Sequence, residues 1–131
     1  IMTKAFIRHG VTITAGTDAN VTGVVPGFSL HDELESLSRC GMSNSEILYA
    51  ATIAPAEWMQ RNTGKIKIGY DADLLLLEKN PLKHIKNTRT INTVIANGKF
   101  LDRKELDKML QSVKEANNTS RKISIDWFIN K

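Results

Sequence analysis

The sequence contains a single cysteine, Cys40, so no internal disulfide can form and a reducing compartment, the cytoplasm, is the expected setting. Its longest purely aliphatic run, Leu74 to Leu77, is far too short to span a bilayer, and a membrane role is not expected. Aromatic residues make up only 6% of the chain. They form no ladder on which bases could stack, so the basic second half does not read as a nucleic-acid surface. No basic region followed by a long apolar stretch stands at the start, and the chain opens Ile1-Met2 as though it began inside something longer. Internal repeats and low-complexity segments are also missing.

What is present suits one soluble globular domain: 131 residues, 41% hydrophobic and 24% charged. The net charge of +4 is unevenly placed. Residues 1–60 hold three Lys/Arg against six Asp/Glu, and residues 61–131 hold fifteen against eight. The lysines of the basic half stand singly among apolar residues, the pattern of a solvated surface.

Thr3 to Arg8 read as the end of a helix stopped at His9-Gly10. Val11 to Ala15 are β-branched or small and predict a strand buried on both faces, ending at Gly16-Thr17-Asp18. A loop runs to Ser29, which with Asp32 predicts a capped helix from Leu30 to about Arg39, stopped by Gly41. Ser43 and Glu46 make a second capping box, opening a helix to about Thr52; Pro55 starts another through Met59, with Trp58 and Met59 packed against neighbouring elements. Lys65 to Ile68 alternate as a strand, and Ala72 to Glu78 predict a buried one. Ile91 to Ala96 lead into Asn97-Gly98, a strong hairpin signal, and Lys99 to Leu101 return from it. Leu106, Met109, Leu110 and Val113 give the segment from Arg103 to about Asn117 a helical stripe, either core or a partner face. A polar tail then ends in Ile123, Ile125, Trp127, Phe128 and Ile129.

A carboxylate just past the C-terminal end of a buried parallel strand stands where α/β barrels place catalytic groups. Asp18 is in that position, although a lone aspartate there also serves as a turn former or helix cap. Asp73, beside a turn, is expected to accept backbone hydrogen bonds. Cys40 has no histidine neighbour in sequence and reads as a buried, inert thiol rather than a nucleophile.

Several short motifs stand in order: Thr14-Ala15-Gly16-Thr17-Asp18, Pro26-Gly27, Leu30-His31-Asp32-Glu33-Leu34, Ala50-Ala51-Thr52-Ile53-Ala54-Pro55-Ala56, Thr63-Gly64-Lys65-Ile66, Gly69-Tyr70-Asp71-Ala72-Asp73-Leu74, Asn80-Pro81-Leu82 and Val94-Ile95-Ala96-Asn97-Gly98-Lys99. Together they resemble the last third of the amidohydrolase superfamily, most of all its imidazolonepropionase and prolidase-like branch, over about Ile7 to Leu101. The resemblance implies an α/β fold: the C-terminal fragment of a (β/α)8 metal-dependent hydrolase barrel, contributing strand eight and its helices (residues 1–62), part of a small β-sandwich (63–102), and a C-terminal helix and tail (103–131) that it does not cover.

In such enzymes the aspartate after strand eight binds a divalent metal and shuttles a proton to the leaving group, a role that maps to Asp18. The complete enzyme is thereby expected to hold a divalent metal such as zinc and to act on C–N bonds of a small-molecule substrate of cyclic amide or dipeptide type. Whether this piece alone holds a metal is left open. The family's histidine ligands lie on barrel strands outside this sequence, so the piece alone is expected to be inactive. His31, in the first turn of its helix, is the candidate substrate contact, against the alternative of an ordinary helix residue. His9 precedes strand eight and His84 follows the Asn80-Pro81-Leu82 turn, and neither is expected to join Asp18. A strand without barrel neighbours exposes unpaired backbone groups, which predicts a homo-oligomer. The competing reading is a non-catalytic assembly module with residues 103–131 as its contact.

Overall fold

The structure, a computed structural model, describes residues 2–19 and 21–120. Helix α1 (Met2–Arg8) ends as the sequence predicts, with Gly10 at φ 68 and the Val11 amide reaching back to the Phe6 carbonyl at 3.0 Å. Glycine takes that left-handed turn without steric cost. Residues 11–18 then run without regular secondary structure. The strand expected here is not formed, and Val11, Thr12 and Thr14 are exposed rather than buried on both faces. A strand is defined by the ladder it joins, and no described strand runs beside this segment.

Helix α2 (Phe28–Arg39) starts two residues before the expected Leu30, with Gly27 (φ 79) as its N-cap. Ser29 therefore lies inside the first turn, and its hydroxyl accepts from the Val25 amide at 2.8 Å instead of capping. Helix α3 (Asn44–Ala51) opens on the predicted capping box. The Ser43 hydroxyl accepts from the Glu46 amide at 3.3 Å and the Glu46 carboxylate accepts from the Ser43 amide at 2.7 Å. The hydrogen bonds from the Ser43 hydroxyl and amide hold the Glu46 carboxyl below its ordinary range. Ser43→Ala is expected to cost about 1 kcal/mol by chemical denaturation at neutral pH. The carboxylate's share of that stabilisation is present above the ordinary glutamate pKa and fades as the pH falls through the lowered one.

Thr52 ends α3 and begins α4 (Ile53–Trp58), so Pro55 sits in the first turn rather than at its start. Trp58 is 82% exposed and Met59 half exposed, so neither packs the helix against a neighbour as expected. Lys65 to Ile68 form no strand, and Ile66 and Ile68 stand 91% and 100% exposed. Alternation alone supplies no partner.

A three-stranded antiparallel sheet follows, in the order β1 (Leu74–Leu77), β2 (Ile91–Ala96), β3 (Lys99–Leu101). β1 is shorter than predicted and not buried, since Leu75 and Leu76 are exposed, and its register against β2 shifts between Leu76 and Leu77. The β2–β3 turn is the predicted Asn97-Gly98, both residues at positive φ. As expected, Asp73 accepts from a backbone amide, that of Asn97, at 2.9 Å. A 3₁₀ helix (Ile85–Arg89) lies between β1 and β2. Helix α5 (Arg103–Ser120) packs its start on β2 and β3. Of its apolar stripe Leu106 is half-buried, whereas Met109, Leu110 and Val113 are exposed. The Ile123 to Ile129 cluster lies outside the described residues. No helix among them is long and apolar enough to cross a membrane.

The core is small. Leu34 and Leu37 from α2, Ile47 from α3 and Ile85 from the 3₁₀ helix form it, with Ile13, Ala15, Met42, Leu48 and Ala51 packed against its edge. It anchors the extended segment by one side.

Candidate functional site

The segment from Thr12 to Asp18 alternates even without a ladder. Ile13, Ala15 and Thr17 turn inward, and Thr12, Thr14, Gly16 and Asp18 are exposed. Two long-range bonds tie down its backbone: the Ala15 amide donates to the Ala50 carbonyl at 2.9 Å, and the Gly16 amide donates to Glu33 Oε1 at 2.8 Å. Asp18 itself sits at φ 47, in the left-handed region that aspartate tolerates better than most residues. Its carbonyl accepts from the Val21 amide at 3.1 Å, turning the chain away. The carboxylate thus stands at the exposed end of a segment whose other face is packed on the core.

Among the described residues, a Cβ built at Gly16 meets nothing within 4 Å.

His31 lies near the start of α2, against the 3₁₀ helix. Its Nδ1 is 3.0 Å from Thr88 Oγ1, and that hydroxyl already donates its one hydrogen to the Ile85 carbonyl at 2.9 Å. The network therefore assigns the hydrogen to His31 Nδ1 and a lone pair to Nε2. Burial, followed by the positive charge of Arg89, lowers the His31 pKa, while Asp32 and Glu35 pull it the other way. A histidine below its ordinary value is neutral at pH 7. Arg89 also bonds Asp32 at 2.6 Å and Glu35 at 3.3 Å, fastening the 3₁₀ helix to α2.

No hydrogen bond joins Asp18 to His31 among the described residues. His9 lies beyond the end of α1 and is exposed, and His84 precedes the 3₁₀ helix, so neither is brought to Asp18. Cys40 caps the end of α2 as a half-buried free thiol. A hollow of about 210 Å³ opens between the end of α1, residues 10–13 and α3, lined among others by Ile7, Val11, Met42 and Tyr49. It takes in the start of the extended segment and not Asp18.

A metal site needs three or more protein ligands in most cases. Among the described residues no group of three His, Cys, Asp or Glu side chains is placed to hold an ion. Asp18 can supply one carboxylate and does not by itself make such a site. Glu33 had no role beyond its place in the Leu30-His31-Asp32-Glu33-Leu34 motif. Its bond to Gly16 spans seventeen residues, which sequence spacing could not reveal.

Residues 2–101 match the sequence profile described as the Amidohydrolase family. Ochratoxinase from Aspergillus niger is 40% identical over 84 residues, covering 61% of this chain and 16% of its own length. The crystal structure of A. niger ochratoxinase superposes on 76% of this chain, and 24% of its own, with a TM-score of 0.65 and 33% identity. A Xaa-Pro dipeptidase with methionine bound in its active site superposes on 77% of this chain, and 25% of its own, with a TM-score of 0.68 and 26% identity. The chain spans about a quarter or less of the length of these relatives.

Proposed function

Because this chain belongs to the amidohydrolase family, we propose that it forms the C-terminal part of a metal-dependent hydrolase that cleaves C–N bonds in cyclic amides or dipeptides. The observation that carries the reading is the family match over residues 2–101 together with Asp18 at the exposed end of a core-anchored extended segment. In the complete (β/α)8 barrel Val11 to Ala15 are then the eighth strand, ending at Gly16-Thr17-Asp18, with α2 to α4 outside it. β1 to β3 belong to a small β-sandwich over residues 63–102, and α5 begins a segment, from residue 103 onward, that the family match does not cover. The dipeptidase relative supports the dipeptide class.

Amidohydrolases are typically metal-dependent, and the donors missing here belong to the remaining barrel strands. Asp18 is the catalytic carboxylate and one ligand of that site. Its own chemistry is proton transfer: a positioned carboxylate takes a proton from the attacking water and returns it to the departing amine. His31 contacts the substrate through Nε2, the lone-pair nitrogen that Thr88 leaves available. An extended segment without a ladder partner, together with exposed Leu75 and Leu76 on β1, favours assembly, either with copies of itself or with the rest of the barrel.

The test is turnover of Xaa-Pro dipeptides and cyclic amides by the chain alone and by the complete hydrolase, meaning this chain together with the remaining barrel strands. Turnover is expected only in the complete form. Hydrolysis by the isolated chain would refute the need for other strands, and its absence in the complete form on both substrate classes would refute the hydrolase reading.

A further inference from the structure

We infer that Glu33 is a positioning residue for Asp18, holding in place through its carboxylate the backbone that carries that side chain; the inference rests on the reading of Asp18 as catalytic. The extended segment has no ladder to fix it. Near Asp18 its backbone is held by two bonds from outside, Ala15 to the Ala50 carbonyl and Gly16 to Glu33 Oε1. The second lies two residues from Asp18 and pairs an amide with a carboxylate at 2.8 Å, the stronger class of hydrogen bond.

Glu33 is well placed to act as an anchor. It is half-buried on α2, next to Leu34, which lies in the core with Leu37, so its own backbone is fixed by packing. No basic residue lies three or four positions away on either side of it in α2, so it is not half of a helical surface pair.

Gly16, by contrast, has little else to restrain it. A Cβ at that position would touch nothing within 4 Å among the described residues, and glycine is the residue with the widest backbone freedom. Asp18, two residues on, stands in a left-handed conformation at a turn that its carbonyl closes with the Val21 amide, and the Glu33 carboxylate fixes the backbone on the near side of that turn. Its loss costs position rather than packing, so it is expected to act on kcat more than on folding.

The test compares Glu33→Ala and Glu33→Gln in the complete hydrolase, with exchange of the Gly16 amide hydrogen followed by NMR on the chain itself. Glu33→Ala is expected to lower kcat by roughly 10–100-fold, the scale of an ångström-sized misplacement, with KM changed by less than about twofold, and to speed Gly16 exchange. Glu33→Gln keeps an oxygen acceptor at the same place and is expected to restore most of kcat and the slow exchange. Unchanged kcat in Glu33→Ala, or a glutamine variant as slow as the alanine one, overturns the inference. Asp18→Asn assayed in parallel separates the two failures. If it leaves turnover intact, the reading of Asp18 has failed and the inference falls with it. If it abolishes turnover while Glu33→Ala does not, only the positioning role of Glu33 has failed.

Discussion

Gly64→Ala is expected to destabilise the protein by roughly 2–5 kcal/mol, summing the cost of a left-handed non-glycine residue and that of overpacking. Gly64 holds φ 79, and a Cβ there would lie 2.9 Å from the Thr52 carbonyl carbon, closer still to its oxygen, and 3.3 Å from the Ala56 Cβ. These are backbone and helix atoms that cannot swing aside. Thr52 joins α3 to α4, with its amide bonded to the Tyr49 carbonyl and its hydroxyl to the Leu48 carbonyl. Gly69→Ala is the natural control, because Gly69 also has a positive φ (85) but its Cβ would meet nothing within 4 Å among the described residues. Urea denaturation of both variants separates conformational cost from collision: a clearly larger loss for Gly64→Ala is expected, and equal losses would rule out the clash. The strain also bears on the site. Ala50, two residues before Thr52, accepts the Ala15 amide, so a shifted α3–α4 junction moves the segment that leads to Asp18.

The parts legible in the sequence were those with local causes. Gly10 ending α1, the Ser43–Glu46 box opening α3 and the Asn97-Gly98 turn each depend on a few adjacent residues, and each forms as the pattern predicts. Patterns whose meaning depends on distant partners fared worse. Val11 to Ala15 and Lys65 to Ile68 have strand-like composition or alternation, yet a strand exists only through its ladder, and Ile66 and Ile68 find neither partner nor cover within the described chain. Ser29 carries a capping side chain, but Gly27 already provides the turn into α2, so the hydroxyl closes the preceding loop instead. At the site, the place of Asp18 beyond a β-branched run could be read directly. The hold of Glu33 on Gly16 and of Thr88 on His31 could not, because each joins elements far apart in sequence that meet only through the small core around Leu34, Ile47 and Ile85.

Asp18→Asn is expected to have the largest effect on chemistry, because it preserves shape while removing the basic oxygen to which the proposed function assigns proton transfer. Asp18 is exposed and its segment is anchored by Ala15 and Gly16 rather than by the carboxylate, so folding should be little affected. The decisive measurement is kcat for Asp18→Asn against the parent in the complete hydrolase, with melting temperatures recorded on the same samples. A fall of about 10²–10⁴-fold, the usual worth of a positioned acid–base group, with an unchanged melting temperature is the expected result. A kcat within about twofold of the parent would contradict the assignment of Asp18 as the catalytic carboxylate.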